Sequence, residues 1–161
     1  MAGQYSIRNV LYERTIYIRM SGRFDAATMR ELAVAYGRVT DEYEGKRHVV
    51  VADMRGMAPL LPEVGQIFEG AIRYARARGV ALCVHVTDDA TQKWQADRLA
   101  RRAAPANDVT LNVETLEEAL AAIEEARLRV RRTSSSFPPA SGTIPTTDSV
   151  VPPGIGRFRR P

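Results

Sequence analysis

"HVVVADMRGM", residues 48–57, is the segment of this chain that says most about its architecture. The four consecutive apolar residues at 49–52 are too few for a helix and are typical of a strand buried on both faces. Asp53 and Arg55 follow where that strand ends. Because the carboxyl edge of a parallel sheet is where ligands and partners commonly bind, Asp53 and Arg55 belong either to a functional edge or to a simple strand-end turn in which they pair with solvent or each other.

The segments on either side alternate between strand and helix patterns. Residues 4–21 alternate in polarity as two short strands broken near Tyr12 and Glu13, which favours a hairpin. "VALCVHV" at 80–86 and "DVTLNV" at 108–113 predict two more strands. Helical spacing follows each of the last four strands, and the start signals of those helices are Asp25, Pro62, Asp88 and a T-x-x-E capping box formed by Thr115 and Glu118.

The order β-β-α-β-α-β-α-β-α predicts an α/β fold with a mixed, mostly parallel five-stranded sheet flanked by helices. A chain of 161 residues, 45% of them apolar, has room for one core, which we assign to residues 1–130. Residues 131–161 are rich in Pro, Ser and Thr. Their few apolar residues cannot offset an ordering entropy of about 1–2 kcal/mol per residue, so a disordered tail is expected.

The charge distribution limits the classes of partner. The net charge is +4, yet residues 1–130 carry 18 Arg and Lys against 18 Asp and Glu. The excess lies in the tail, where five arginines face Asp148 alone. A balanced folded body argues against nucleic-acid binding.

Few residues are placed for catalysis, metal binding or membrane insertion. His48 and His85 lie in or beside apolar strands, and Cys83 is the only cysteine, so all three are expected to pack in the core. No nucleotide-binding glycine motif follows the first strand. The first residues lack a secretory signal and no apolar run could span a bilayer. We therefore expect a cytoplasmic protein that is not an enzyme and has no cofactor, metal site or membrane span.

The same succession of segments resembles the sulphate-transporter and anti-sigma-factor-antagonist (STAS) domain, in particular the bacterial SpoIIAA-like proteins. The resemblance covers roughly residues 5–130. It rests on "IRMSGRFDAATMREL" (18–32), "HVVVADMRGM" (48–57), "GVALCVHVTD" (79–88) and "VTLNVETLEEALAAI" (109–123).

That resemblance implies a regulatory domain whose partner docks at the loop after the central strand and at the start of the next helix. In antagonists of the family a serine at that helix start is phosphorylated, but "MRGMAPLLPEVG" (54–65) contains no serine or threonine. The switch cannot be transferred to this chain. What the resemblance does imply is a partner-binding surface made of Arg23, Phe24, Asp53, Arg55, Gly56 and Met57.

The tail carries two further candidate sites. "RRTSS" (131–135) has the spacing that basophilic kinases favour, which makes Ser134 and Ser135 possible phosphorylation sites. "PPGIGRFRRP" (152–161) places apolar anchors among arginines and predicts a docking peptide, whose residues are Ile155, Arg157, Phe158, Arg159 and Arg160. A solubilising tail, or one attracted to an acidic membrane or to nucleic acid, remains an alternative.

The sequence as a whole predicts a non-enzymatic regulatory or adaptor protein of the bacterial cytoplasm that binds protein partners. The alternative is a domain that binds a small apolar ligand or lipid, in a cavity lined by Tyr36, Tyr43, Phe68 and Trp94. A homodimer is possible because the first strand leaves an open sheet edge.

Overall fold

The computed structural model describes residues 1–103 and 109–134. Its elements follow the predicted order, and a single 3-10 turn at Leu11–Glu13 joins the first two strands. Their bounds are β1 Gln4–Val10, β2 Thr15–Ser21, α1 Ala26–Asp41, β3 His48–Asp53, α2 Pro62–Ala77, β4 Val80–Val86, α3 Ala90–Ala103, β5 Thr110–Val113 and α4 Leu116–Ser134.

The five strands form one sheet in chain order, β1-β2-β3-β4-β5. β1 and β2 pair antiparallel as a hairpin, and the other three pairings are parallel, so the predicted mixed sheet is confirmed. Because strand order never reverses among the parallel strands, successive right-handed crossovers place α1, α2 and α3 on one face of the sheet. α4 follows the last strand and packs on the other face.

Two clusters of apolar side chains lie on the two faces of the sheet. The larger one joins β2, β3 and β4 to the three helices α1–α3, and the smaller one joins β3 and β4 to Ala119 and Ile123 of α4. The adjacent residues Val50 and Val51 of β3 belong to different clusters, and each is only 1% exposed. The central strand is therefore buried on both faces, as the apolar run predicts.

The helix start signals are confirmed with one correction. The Asp25 carboxylate accepts a hydrogen bond from Thr28 N at 2.7 Å, and Pro62 is the first residue of α2. Thr115 and Glu118 form the reciprocal capping box, at 3.2 and 3.3 Å. For α3 the prediction of Asp88 is wrong: the next residue, Asp89, accepts from Gln92 N at 2.9 Å, because it stands three residues before that amide.

The folded part extends further than residue 130. α4 continues to Ser134, so residues 131–134, which the composition places in the tail, end a helix instead. Arg127 anchors this last part by donating to Glu13 O at 2.7 Å and to Thr15 Oγ1 at 3.0 Å. Ser134 is the final helical residue. Ser135 and the predicted docking residues 155–160 lie outside the described residues.

The two histidines and the cysteine are buried, as expected for core residues. His48 and His85 are each 1% exposed, and burial raises the pKa of the Cys83 thiol to about 12. The His48 ring stacks on Tyr43 with 4.2 Å between ring centroids, and its Nδ1 lies 2.9 Å from the Lys46 carbonyl oxygen. Burial lowers the pKa of His48 more than the hydrogen bond to Lys46 raises it, so the folded state favours the neutral ring.

This environment makes stability depend on pH. In the unfolded chain His48 takes up a proton near pH 6.5, whereas the folded chain resists it until a lower pH. The unfolded state then binds more protons, so the free energy of unfolding should fall as the pH drops below about 6.5. His48→Phe keeps a stacked ring and removes the titration. Urea unfolding between pH 7.5 and 5, with the wild type in parallel, should show a flatter profile for the variant; identical slopes would contradict the assignment.

Candidate functional site

The predicted partner surface lies at the carboxyl edge of the sheet, where two connections meet. One is the short β2–α1 link, residues 22–25, and the other is the β3–α2 loop, residues 54–61. β2 and β3 are parallel neighbours, and their register pairs Arg19 with Asp53. The ends of both strands, and the connections that leave them, are thereby brought side by side.

Asp53 is held by two arginines. Its carboxylate accepts bonds from the backbone amide, Nε and Nη2 of Arg55 at 3.2, 2.8 and 2.9 Å, and from Nη1 of Arg19 at 3.0 Å. The side chain of Asp53 is only 7% exposed, while that of Arg55 is 32% exposed. The arrangement is a bidentate pair reinforced by a second cation, the strongest type of charge-assisted hydrogen bonding available to a carboxylate.

The charges around Asp53 are suited to a structural role for its carboxylate rather than to proton transfer. Burial alone would raise the pKa of Asp53, but the hydrogen bonds from Arg55 and the charges of Arg55 and Arg19 outweigh it, and the pKa is lowered. The carboxylate stays ionised at neutral pH with both oxygens engaged. Asp53 and Arg55 thus pair with one another across the end of β3. We call this group of Asp53, Arg55 and Arg19 the clasp. Part of the Arg55 side chain is exposed on its outer side.

The β3–α2 loop is tied to the β2–α1 link through Gly22. Gly22 N donates to Gly56 O at 3.0 Å, and Ala58 N donates to Gly22 O at 2.9 Å. Gly22 has a φ of +76°, and a Cβ there would lie 2.4 Å from Ala2 O. Only glycine fits this crossing, where the loop, the link and the chain start pass within contact distance.

Two glutamines of α3 hold the same loop from its other side. Gln95 Oε1 accepts from Leu60 N at 2.9 Å, and Gln95 Nε2 donates to Leu60 O at 2.7 Å. The side-chain amide of Gln92 donates to Met57 O. The loop is therefore fixed by hydrogen bonds to the β2–α1 link and to α3, in addition to its own Asp53–Arg55 clasp.

The predicted surface residues come together, but only some of them are accessible. Arg23 and Gly56 are exposed and Arg55 is partly exposed. Phe24 is 3%, Met57 5% and Asp53 5% exposed. The accessible surface is thus Arg23, Arg55 and Gly56, while the buried residues support it from beneath.

The aromatic residues expected to line an apolar cavity do not share one. Tyr36, Tyr43 and Phe68 are each 4% exposed and pack in the larger core, whereas the Trp94 side chain lies on the surface at 61% exposure. These four rings therefore do not line one common space, because three are packed in the core and the fourth lies at the surface.

Comparison with known proteins adds no family. The chain matches no protein-family model, and a search of curated proteins found no significantly similar sequence. Among residues 1–103 and 109–134, no group of three or more His, Cys, Asp or Glu side chains is placed to hold a metal ion. No helix in those ranges has the length and apolar character to cross a bilayer.

The clasp predicts a stability change that depends on pH. Asp53→Asn keeps the shape of the side chain but removes the charge that both arginines bind, so the free energy of unfolding should fall by about 1–3 kcal/mol at pH 7. The lowered pKa means that ionised Asp53 stabilises the fold above about pH 4 and that this contribution is lost as the pH falls through the folded-state value.

Urea unfolding of the wild type and Asp53→Asn at pH 7 and at about pH 3 tests this directly. The gap between the two proteins should narrow at the acid pH, where Asp53 is protonated in the wild type. A matched control is Glu31→Gln, which removes the charge of an exposed carboxylate on α1 that takes no part in the clasp. A gap that is the same at both pH values would contradict the assignment.

Proposed function

We propose that this protein is a non-enzymatic regulatory or adaptor protein whose STAS-like domain binds a protein partner at the β3–α2 loop. The observation that carries the proposal is the way this loop is held: the β2–α1 link and α3 both form hydrogen bonds with it, yet Arg55 and Gly56 face outward. A loop already fixed in one conformation loses little conformational entropy on binding, which favours affinity for a macromolecule.

The ion-paired carboxylate of Asp53 supports a binding role rather than a catalytic one. A general acid or base needs a pKa near the working pH and a free lone pair or proton directed at a substrate. The pKa of Asp53 is lowered, and its carboxylate oxygens already accept hydrogen bonds from Arg55 and Arg19. Asp53 therefore acts by fixing the conformation of the surface at the carboxyl edge of the sheet.

The STAS resemblance supports the choice of this loop. The element order, the hairpin that opens the sheet and the loop that precedes α2 fit that family's arrangement. Regulation differs from that of the phosphorylated antagonists, since residues 54–65 offer no hydroxyl group for a kinase. We assign the protein to the bacterial cytoplasm on the same resemblance.

The C-terminal segment supplies a second grip in this proposal. Ile155 and Phe158 are the apolar anchors, and Arg157, Arg159 and Arg160 surround them with positive charge. Phosphorylation of Ser134 or Ser135 would place negative charge beside Arg131 and Arg132 and would weaken attraction of this region to an acidic partner.

A second candidate function rests on one groove. Between the C-terminal half of α4 and the amino ends of β3 and β4 lies a cavity of about 360 Å³, with Leu82 and Ile123 in its wall and Arg14, Arg47 and Arg131 around it. This combination suits a small amphipathic anion such as a fatty acid. Native mass spectrometry of the purified protein would show the bound mass.

The test of the adaptor function uses Arg23→Glu. Arg23 is exposed, and none of the described side chains pairs with it, so reversing its charge leaves the clasp intact. Arg55→Glu is unsuitable because it would set a second carboxylate against Asp53. The matched control is Arg38→Glu, an exposed arginine near the opposite end of α1.

Affinity purification from the native cell should recover a partner with the wild type and with Arg38→Glu, and the recovery should fall at least about tenfold with Arg23→Glu. A chain ending at Ser134 should retain that partner and lose any partner held by residues 155–160. Equal recovery with Arg23→Glu and wild type would overturn the assignment of the surface.

A further inference from the structure

Two large apolar side chains are left exposed on neighbouring elements. Leu61, the residue before α2, is 62% exposed, and Trp94 of α3 is 61% exposed. Both belong to the wall of one groove between the start of α2 and α3. Trp94 is the only tryptophan in the sequence. Exposed aromatic and branched side chains that flank a groove are typical of binding surfaces.

The groove has a rigid apolar base. Leu60 and Leu99 line it from beneath, and both are buried, at 6% and 7% exposure. Gly65 of α2 also lines the groove and lies against Leu99, since a Cβ on it would make ordinary van der Waals contact with Leu99 Cδ2 at 3.7 Å. The two bonds between Gln95 and Leu60 fix the spacing of its walls. Its volume of about 180 Å³ is suited to one large apolar side chain.

A row of three arginines follows α3 beside the groove: Arg98 and Arg102 line it, and Arg101 lies next to them in an adjoining pocket. Arg98, Arg101 and Arg102 are exposed, and none forms a salt bridge with any of the described residues. The Arg98 guanidinium lies 5.3 Å from the centre of the Trp94 ring, which holds it beside the apolar wall. The acid within this row, Asp97, is engaged by the side-chain amide of Asn112. The row therefore carries three positive charges against the one negative charge of Asp97, and a partner's carboxylates can reach the three guanidinium groups.

We propose that this groove, which goes beyond the loop surface assigned above, binds an acidic peptide segment of a protein partner. An apolar side chain of that segment enters between Leu61 and Trp94, and its carboxylates face Arg98, Arg101 and Arg102. The apolar contact supplies most of the affinity, while the arginines orient the segment and accelerate its association.

Charge decides between this occupant and the others. The chain's own tail carries Arg157, Arg159 and Arg160 against a single Asp148, so it has the same sign as the groove and is repelled. A nucleic acid carries charge on every unit, whereas the groove offers arginines on its α3 wall only and a carboxylate, Glu69, on its α2 wall. A membrane binds best to a broad apolar face, whereas the exposed Leu61 and Trp94 flank a groove that is suited to one side chain. A peptide with carboxylates along one side and an apolar anchor meets each of these constraints.

The single tryptophan reports the site directly. Full-length protein is titrated with a short peptide of glutamates around one phenylalanine, and the Trp94 emission is followed at low and physiological salt. Insertion of the phenylalanine should shift the emission to shorter wavelength with saturation, and added salt should weaken the binding. A peptide with glutamine in place of glutamate should bind at least about tenfold more weakly.

Matched variants separate charge from fold. Arg98→Glu/Arg102→Glu should weaken binding of the glutamate peptide at least about tenfold, and the control Arg8→Glu/Arg38→Glu, which reverses two exposed arginines elsewhere, should not. If the first pair unfolds the protein, Arg98→Gln/Arg102→Gln replaces it. Arg23→Glu should leave the peptide affinity unchanged, which keeps this result independent of the loop surface.

Three outcomes would overturn the proposal. The first is no saturable change in Trp94 emission with the glutamate peptide. The second is equal affinity for the glutamate and glutamine peptides. The third is a stronger, saturable response to a single-stranded oligothymidine or to vesicles of anionic phospholipid, which would assign the groove to nucleic acid or to a membrane.

Discussion

The double burial of β3, and the ion cluster that ends it, organise this molecule. Val50 and Val51 place the strand between two apolar layers. A polar residue at the end of the strand marks where both layers end. Asp53 is that residue, and it takes bonds from the backbone and side chain of Arg55 and from Arg19 on the neighbouring strand. The end of β3 is thereby fixed relative to β2, and the loop that follows begins from a defined position.

The loop that follows the clasp is held in one conformation by hydrogen bonds. The β3–α2 loop is joined to the β2–α1 link through Gly22 and to α3 through Gln92 and Gln95. Met54, Met57 and Leu60 turn inward, while Arg55, Gly56, Pro59 and Leu61 remain at the surface. Leu60 connects this loop to the groove beside Trp94, so two adjoining surfaces share one rigid support. Such a support favours the proposed adaptor role, because binding surfaces that are already ordered lose less entropy on association.

Local sequence signals predict most of the fold. The order of elements, the hairpin, the capping box and the double burial of β3 follow from patterns within about ten residues of each other, where turn chemistry and periodicity act. The shift of the α3 cap from Asp88 to Asp89 reflects two adjacent acids with equal propensity, between which only the helix register chooses. The boundary assigned at residue 130 falls inside α4, which continues to Ser134, and the contacts of Arg127 with Glu13 and Thr15 join partners more than a hundred residues apart that local patterns do not reveal.

The site shows the same division between local and distant information. Asp53 and Arg55 stand together in the sequence, and Arg19 is predictable once β2 and β3 are taken as parallel neighbours. Gln92 and Gln95 could not be found, because two polar residues on a helix give no sign of the backbone they will meet. Trp94 was expected in an apolar cavity. Helical spacing alone does not distinguish an inward from an outward ring when Gln92, Ala96 and Leu99 already fill the buried face.

Amide hydrogen exchange of the β3–α2 loop tests most directly whether the binding surface is preformed. The amides of Ala58 and Leu60 donate to Gly22 O and to Gln95 Oε1, both at 2.9 Å, although they belong to no helix or strand. A preformed surface requires these two amides to exchange with protection similar to that of the β3 amides. Exchange at the rate of an unstructured peptide would mean that the loop is ordered only by its partner, and the preorganised surface would have to be abandoned.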